Sequence, residues 1–346
     1  MKQLTRRHFL KAAGAAVIAA ACGVYEFIPG TKSLVGQAVK TTKVTAAHYN
    51  LTSAVDAANI RQIITADSST SRTIMWQSAY AEKGAAVEYR AAGAEDTLTI
   101  PAADTELNDD GTMTYIHSAA ITGLTPGGSY EYRVGYTDRR SEWFPLKTAA
   151  GSTFKALIFP DSQSADYGVW KNTAMPAWER NKDAQFFINI GDLVDNGQSG
   201  YQWNAWFEGC EDMIRQIPLV PLDGNHEMYD LNWQMHLPVS YTTLFDLPKN
   251  GLPEYPDQFY SFDYGDIHFT VLDTQFTELK DFEPDLLKDE VAWVKKDLEK
   301  TEKKWKIVLM HKDVLQYGFN PETRPETREE GFSEEGKIFM PLFDRY

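Results

Sequence analysis

The chain has 346 residues, of which 43% are hydrophobic and 24% charged, and its formal net charge is -15. This ordinary globular composition excludes collagen, coiled coil and extensive disorder, and the length suggests about two domains. The acidic excess argues against a partner held by bulk attraction, such as nucleic acid or an anionic membrane. An anionic substrate would therefore need a local positive charge, for example from bound metal cations.

The N-terminus has the pattern of an export signal. Arg6 and Arg7 precede Phe-Leu-Lys and an uncharged apolar run that ends at Val24. This run is shorter than the ~20 residues that span a bilayer, as in a secretory signal. The paired arginines resemble a twin-arginine signal. We therefore expect export by that route, to the periplasm or the cell exterior.

Two fates of the exported chain stay open. Ordinary cleavage could follow Ala21, or Cys22 could be lipidated and anchor the protein to a membrane as a lipoprotein. Cys22 and Cys210 are the two cysteines of the sequence, so a disulfide framework is not expected. We interpret residues 1–24 as the signal segment and residues 25–42 as a linker rich in Gly, Ser, Thr and Lys.

Residues 43–150 have the pattern of an all-β domain. Runs rich in β-branched and aromatic residues are separated by Gly, Pro and Asp turn signals. The predicted strands are Asn59–Ala66, Thr73–Ser78, Ala85–Ala91, Met113–Ile121 and Ser129–Tyr136. The segment from Leu124 to Tyr132 resembles the end of a fibronectin type III domain, with Tyr130 as its corner tyrosine. We predict a β-sandwich that packs or positions other parts rather than a catalytic domain.

Residues 151–346 change to an α/β pattern. Apolar strands alternate with helical periodicity, and each strand ends in a polar cluster. The predicted strands are Phe154–Phe159, Gln185–Ile190, Ile217–Leu222 and Lys306–Met310. They are followed by Asp161, Gly191-Asp192, Asn225-His226 and His311. Because α/β sheets bind ligands beyond the carboxyl ends of their strands, we expect these side chains to meet.

The residue types in this set point to metal chemistry. Asp161 and Asp192 offer carboxylate oxygens, Asn225 an amide oxygen and His311 an imidazole nitrogen. Mixed oxygen and nitrogen ligands suit Mn, Fe, Zn or Mg. A carboxylate can bridge two cations, and a pair of cations ~3.5–4 Å apart can hold a phosphate oxygen and activate a water.

The ordered motifs resemble those of the calcineurin-like metallophosphoesterases. They are Asp161, Gly191-Asp192-Leu193-Val194-Asp195, Gly224-Asn225-His226-Glu227 and Val308-Leu309-Met310-His311. With a fibronectin III-like domain in front, the layout is similar to that of purple acid phosphatases. The fold class that this implies is an all-β sandwich followed by an α/β metallophosphoesterase domain.

The resemblance also implies roles for individual residues. Asp192 would bridge two metal ions, and Asp161 would bind the first ion with Gln163 as a weaker ligand. Asn225 and His311 would bind the second ion. The implied reaction is hydrolysis of phosphate monoesters by a metal-bound hydroxide, with His226 as the proton donor to the leaving group or as a stabiliser of the transition state.

The sequence departs from the purple enzymes at two ligand positions. Asp195 stands where they have the tyrosine that binds ferric iron, and Gln163 stands where many have a histidine. We therefore expect no purple colour and a pair of Fe, Mn or Zn ions. In relatives with this second aspartate it orients the histidine of the Asn-His pair. This implies that the Asp195 carboxylate holds His226, with Asp223 and Glu227 as alternative partners.

The fifth motif of the family, Gly-His-x-His, is not found, since no histidine follows His311. We interpret the chain as C-terminally truncated. Two functions stay open: an exported phosphoesterase of acid phosphatase type, which the four motifs favour, and a non-catalytic cell-envelope binding module, which the missing motif favours.

Several other residues are better explained by structure than by chemistry. We interpret His268 as a strand residue and Cys210 as a small buried hydrophobe. His236 lies in an aromatic-rich loop, where we favour a structural role over contact with substrate. The acidic run Pro321–Glu335 has the composition of a solvated loop near the mouth of the site.

Overall fold

The computed structural model describes residues 55–164, 167–319 and 328–346. The predicted signal and linker, with Arg6, Arg7 and Cys22, lie outside the described residues. Within the described ranges, no helix is both long enough and apolar enough to cross a membrane.

The first part of the described chain is a β-sandwich. Its strands are β1 (Ala58–Ile63), β2 (Arg72–Ser78), β3 (Ala86–Ala91), β4 (Leu98–Pro101), β5 (Ala103–Leu107), β6 (Thr114–Ile121), β7 (Ser129–Gly135) and β8 (Phe144–Lys147). The order β4-β3-β7-β8 forms one sheet and β5-β6-β2-β1 contributes to the other. Trp76, Tyr132 and Leu146 are buried between them. The Thr125 N–H donates to the Tyr130 hydroxyl at 2.9 Å, the geometry of a tyrosine corner.

The sequence patterns missed three of these strands. β4 and β5 carry mostly exposed side chains, so they lack the apolar alternation that marks a half-buried strand. β8 has 4 residues, too few to show a period. Tertiary pairing with β3, β6 and β7 forms all three.

Parallel strands follow the sandwich. They are β9 (Ala156–Pro160), β10 (Phe186–Ile190) and β11 (Leu219–Leu222). They are connected by α1 (Tyr167–Arg180), α2 (Gly200–Gly209) and α3 (Glu211–Ile214). Trp203, Trp206 and Cys210 are fully buried here, and the interpretation of Cys210 as a small buried hydrophobe is confirmed.

A second sheet faces this one, and the predicted fold class is confirmed. Its strands are β12 (Tyr260–Tyr264), β13 (Ile267–Val271) and β14 (Trp305–Leu309), in that order, with β13 and β14 parallel. The remaining elements are α4 (Val239–Leu244), α5 (Leu286–Lys300), β15 (Leu315–Phe319), β16 (Arg328–Phe332) and α6 (Glu334–Phe343). Phe186, Phe262 and Phe269 pack together between the sheets.

The interpretation of Pro321–Glu335 as a loop is wrong in its second half. Residues 328–332 form β16, which pairs antiparallel with β15, and α6 begins at Glu334. Ser333 caps this helix by accepting from the Gly336 N–H at 2.9 Å. The acidic composition led to the prediction of a loop, because composition alone does not show that the backbone of this segment pairs with β15.

One sheet runs through both parts of the molecule. β1 of the sandwich pairs in parallel with β11, which gives the order β5-β6-β2-β1-β11-β10-β9. The fully buried Arg61 on β1 donates from Nε to the Leu244 carbonyl at 3.1 Å and from Nη1 to the Asn59 carbonyl at 2.8 Å. Burial lowers the pKa of Arg61 to about 9. The division into domains at residue 150 stays a prediction, and the two parts share backbone hydrogen bonds.

Candidate metal centre

The strand ends bring the predicted ligands to one edge. Ile190 at the end of β10 pairs with Pro160 on one side and Leu222 on the other. The segments that carry Asp161, Asp192 and Asn225 therefore leave the sheet at the same level. His311 arrives from the other sheet, two residues after β14 ends. Its ring packs on Gly191, where a Cβ atom would collide with the imidazole.

Three predicted ligands form a compact group. Asp161, Asp192 and His311 each offer a ligand atom, and these atoms lie within 4.8 Å of one another. His311 Nδ1 donates to the Ile190 carbonyl at 2.9 Å. Its Nε2 lies 3.4 Å from Asp192 Oδ1. A hydrogen bond from one ring nitrogen fixes the tautomer, so the other nitrogen is presented as a ligand.

The backbone under this group is strained. Asp161 has φ of 43° and Asp192 has φ of 49°, both in the left-handed region that non-glycine residues rarely adopt. Gly191 between the strand and Asp192 has φ of 72°. Gly224 leaves room for the Asp192 carboxylate, because a Cβ at Gly224 would overlap it. Strain of this kind clusters at functional sites.

Gln163 and Asn225 complete the predicted ligand set. Gln163 Nε2 donates to Asp192 Oδ2 at 3.1 Å, while its buried Oε1 has no protein partner. A buried oxygen without a donor is the kind of atom that a cation satisfies. Asn225 is half-buried at the first residue of a 3-10 turn, Asn225–Met228. The oxygen and nitrogen donors present here fit a hard or borderline divalent metal.

The His226 ring is held in place by Asp195, although not by its carboxylate. His226 Nδ1 donates to the Asp195 carbonyl at 2.7 Å, whereas the nearest carboxylate oxygen lies 3.6 Å away. The Asp195 side chain remains one-third exposed to water. His226 Nε2 lies 4.0 Å from Asp192 Oδ2, on the side of the ligand group. The expected carboxylate contact is thus replaced by a main-chain contact; the catalytic role of either residue stays a prediction.

Glu227 has a role that sequence reasoning missed. Its fully buried carboxylate accepts from the N–H groups of Asp192 and Leu193 at 2.9 Å, Val194 at 3.2 Å and Gly224 at 2.7 Å. One side chain therefore joins the Gly-Asp turn to the Gly-Asn-His turn. The signal available in the sequence was a glutamate next to the Asn-His pair. Nothing local indicated that it caps the other turn.

Burial and charge shift the pKa values of these groups. Burial alone would raise the pKa of Asp192, but the hydrogen bond and charge of His311 lower it. Burial alone would lower the pKa of His311, but Asp192 raises it to about 9. Burial raises the pKa of Glu227 to about 8, and the charge of Asp192 adds to this. Asp192 and His311 therefore favour each other's charged forms, while the charge of Asp192 disfavours ionisation of Glu227.

Comparison with known proteins assigns the family. The sequence model of the calcineurin-like phosphoesterases matches residues 163–344, more than half of the chain. The model of the purple acid phosphatase N-terminal domain matches residues 57–148. The chain therefore belongs to the calcineurin-like phosphoesterases, a family of dinuclear-metal enzymes. The resemblance seen in the motifs is confirmed.

Individual relatives support the same assignment. The chain is 26% identical to purple acid phosphatase 15 of Arabidopsis thaliana over 58% of this chain and 43% of that protein. It is 25% identical to acid phosphatase type 7 of Mus musculus over 67% of this chain and 53% of that protein. It spans about half the length of the curated relatives it matches.

A solved structure shares the fold. The purple acid phosphatase PPD1 from yellow lupin seeds superposes with a TM-score of 0.64 at 17% sequence identity. The match covers 83% of this chain and 57% of that chain. At this identity the likeness shows the architecture, a β-sandwich followed by the α/β part.

Proposed function

We propose that this protein is an exported phosphatase that hydrolyses phosphate monoesters with a pair of bound metal ions. The observation that carries the proposal is the convergence of Asp161, Asp192 and His311 from three strand ends on one 4.8 Å cluster. Asp192 would bridge the ions, with Asp161 and Gln163 on one side and Asn225 and His311 on the other. Bound Fe, Mn or Zn ions would neutralise phosphate charge and lower the pKa of water.

His226 is placed to handle the proton of the leaving group. Its Nδ1–H is committed to the Asp195 carbonyl, so a proton on Nε2 is the one free to move. Nε2 is on the side of Asp192, where the ester would be held. Asp195 would act by fixing the orientation of the ring through its main-chain carbonyl.

The test is hydrolysis of an aryl phosphate with added Mn, Zn or Fe by the wild type and by Asp192→Asn. We expect metal-dependent turnover in the wild type. The variant should lose about 100-fold or more in rate, the usual loss when a group that stabilises transition-state charge is removed. Asp212→Asn, an exposed aspartate on α3, is the matched control and should retain activity. Equal rates in the wild type and Asp192→Asn would contradict the proposal.

A binding function without catalysis makes a different set of predictions. In that case metal ions or phosphate could still raise the thermal midpoint, while no turnover appears with any of the three metals. Calorimetric metal titration of the wild type and Asp192→Asn separates the two functions. Metal binding without turnover would favour the cell-envelope binding module.

We propose export by the twin-arginine route from the Arg6 and Arg7 pattern. Replacing both arginines with lysine should stop delivery outside the cytoplasm, since the basic charge is retained while the motif is lost. Labelling with a palmitate analogue that disappears in Cys22→Ser would identify a lipoprotein. Unchanged export of the double-lysine variant would point to another route.

A further inference from the structure

The segment directly after the metal-centre turn keeps apolar side chains in water. We call residues 229–239 the apolar loop. Leu231 and Trp233 are each 51% exposed, Met235 39% and Leu237 37%. Single exposed apolar residues are common, but several on one short segment mark an interaction site.

The apolar loop continues from the metal centre through a row of ring contacts. The His226 and Tyr229 rings meet edge to face, with centroids 5.5 Å apart. The Tyr229 and Trp233 rings follow at 5.7 Å. These distances are typical of aromatic contacts. The Tyr229 ring therefore lies next to His226, and the Trp233 ring lies beyond Tyr229.

The apolar loop is held by internal hydrogen bonds although it is exposed. Asp230 Oδ1 accepts from the Asn232 and Gln234 N–H groups, each at 2.8 Å. The Asp230 N–H donates to the Gln234 carbonyl at 2.8 Å. Trp233 has φ of 61°, a strained conformation for a bulky residue. Strain of this kind persists only where the surroundings hold it.

The β-sandwich fixes the other end of the apolar loop. Asp109 accepts from Gln198 Nε2 at 3.1 Å and from the Ser240 hydroxyl at 2.9 Å. His236 Nε2 lies 3.5 Å from the same carboxylate. The Asp109 side chain is 9% exposed. A loop fixed at both ends loses little entropy when a ligand binds, which favours a preformed subsite.

We propose that the apolar loop is a subsite for the aromatic leaving group of a phosphate monoester whose phosphate is held at the metal centre. The proposal rests on the proposed function and adds the class of substrate. Trp233 and Tyr229 provide the ring contacts, and Leu231 and Met235 extend the apolar surface. A second copy of the chain is the competing occupant, and the experiment separates the two.

The test compares two phosphonates that cannot be hydrolysed. Binding of phenylphosphonate and methylphosphonate to the metal-loaded protein is measured by calorimetry. We expect phenylphosphonate to bind more tightly, and Trp233→Ala to weaken it by about threefold to tenfold, the range of one aromatic contact. Methylphosphonate should bind the wild type and Trp233→Ala equally. Trp233→Phe, which keeps a ring, should recover most of the phenyl preference.

Trp305→Ala is the matched control. Trp305 is 59% exposed and begins β14, at the end of the strand opposite His311. It should leave both affinities unchanged. Sedimentation of the wild type and Trp233→Ala accompanies the titrations.

The outcomes distinguish this subsite from the proposed function. If both phosphonates bind and Trp233→Ala leaves the phenyl preference intact, the subsite is overturned while the metal centre stands. A change of oligomeric state in Trp233→Ala with the phenyl preference retained would assign the apolar loop to contact between copies. If neither phosphonate binds the metal-loaded wild type, the proposed function fails and the subsite fails with it.

Discussion

The Glu227 carboxylate shows how much of the candidate centre depends on one buried side chain. Four backbone N–H groups on two turns converge on it. Those turns carry Asp192, Asn225 and His226. Buried donors without an acceptor are costly, so the two turns keep their relative position only while this acceptor is present.

We predict that Glu227→Gln lowers both stability and metal affinity. An amide offers one acceptor oxygen and brings two donors toward the same N–H groups. The free energy of unfolding should fall by about 1–3 kcal/mol, the usual cost of unsatisfied buried groups. Urea unfolding and metal titration measure the two effects. Glu208→Gln, on an exposed face of α2, is the control, and an effect of the same size there would contradict this role.

His268 is a second residue whose surroundings make a clear prediction. Its Nδ1 lies 2.8 Å from Asp263 Oδ1 and its Nε2 lies 2.9 Å from Asp297 Oδ2. Both ring nitrogens must carry protons to donate to both carboxylates, so the folded state favours the imidazolium. Burial alone would lower the pKa of His268, but the two aspartates raise it above its ordinary value.

The stability that His268 contributes should therefore be lost at high pH. It is fully present below the pKa of the unfolded chain, about 6.5, and disappears as the pH rises through the higher folded pKa. The difference in unfolding free energy between the wild type and His268→Gln should be larger at about pH 5.5 than at about pH 9. Denaturant unfolding at both values measures it.

His117 offers a contrasting control. Burial lowers its pKa despite the neighbouring Asp104. Its contribution should therefore be present at high pH and decrease as the pH falls through the unfolded pKa. If the stability lost in His117→Gln changed with pH in the same direction as that lost in His268→Gln, the opposite pKa shifts of the two histidines would be contradicted.

At the scale of secondary structure elements, the turn between β5 and β6 reaches across to the phosphoesterase part. Asp109 on that turn binds Gln198, before α2, and Ser240, in α4. A turn of the sandwich thus contacts two segments of the phosphoesterase part. That the sandwich packs against or positions other parts stays a prediction, and these contacts support it.

We predict that Asp109→Ala loosens residues 229–240 without unfolding the sandwich. The change removes the acceptor for two side chains that fix the end of the apolar loop. Backbone amides in this segment should exchange with solvent about tenfold faster in hydrogen exchange, while those of β2 and β6 stay protected. Asp96→Ala on the exposed side of the sandwich is the control. Unchanged exchange in Asp109→Ala would show that the segment is held by its own hydrogen bonds.

At the scale of the whole molecule, β1 joins two hydrophobic cores. It pairs with β2 of the sandwich on one side and with β11 on the other. The Arg61 side chain extends from β1, and its Cζ atom lies 4.8 Å from the centroid of the Phe207 ring, inside the core of the phosphoesterase part. A buried guanidinium depends on its carbonyl partners, and separating the two parts would remove the Leu244 carbonyl from Arg61.

We predict a single cooperative unfolding transition for both parts. Unfolding of either part would expose the edge of the shared sheet and separate Arg61 from the Leu244 carbonyl. Partly folded states should therefore be unstable. Calorimetric and van't Hoff enthalpies should agree, and fluorescence and circular dichroism should report the same midpoint. Two separated transitions would show that the parts are energetically independent despite the shared sheet.

The sequence by itself determined the fold class and the members of the candidate metal centre. Apolar runs that end in Asp161, Asp192 and His311 are local patterns, and the strand-end rule places such residues together. The helix α5 and the strands β9 to β11 were predictable because their periodicity is contained in neighbouring residues.

Only the tertiary structure decided how those residues are held. Glu227 caps a turn 34 residues away, measured from Leu193, and Asp109 fixes a segment 131 residues further along at Ser240. The pairing of β1 with β11 and the main-chain contact from Asp195 to His226 are of the same kind. Such contacts depend on which surfaces meet after folding, and a polar residue carries the same local signal whether its partner is water or a distant backbone group.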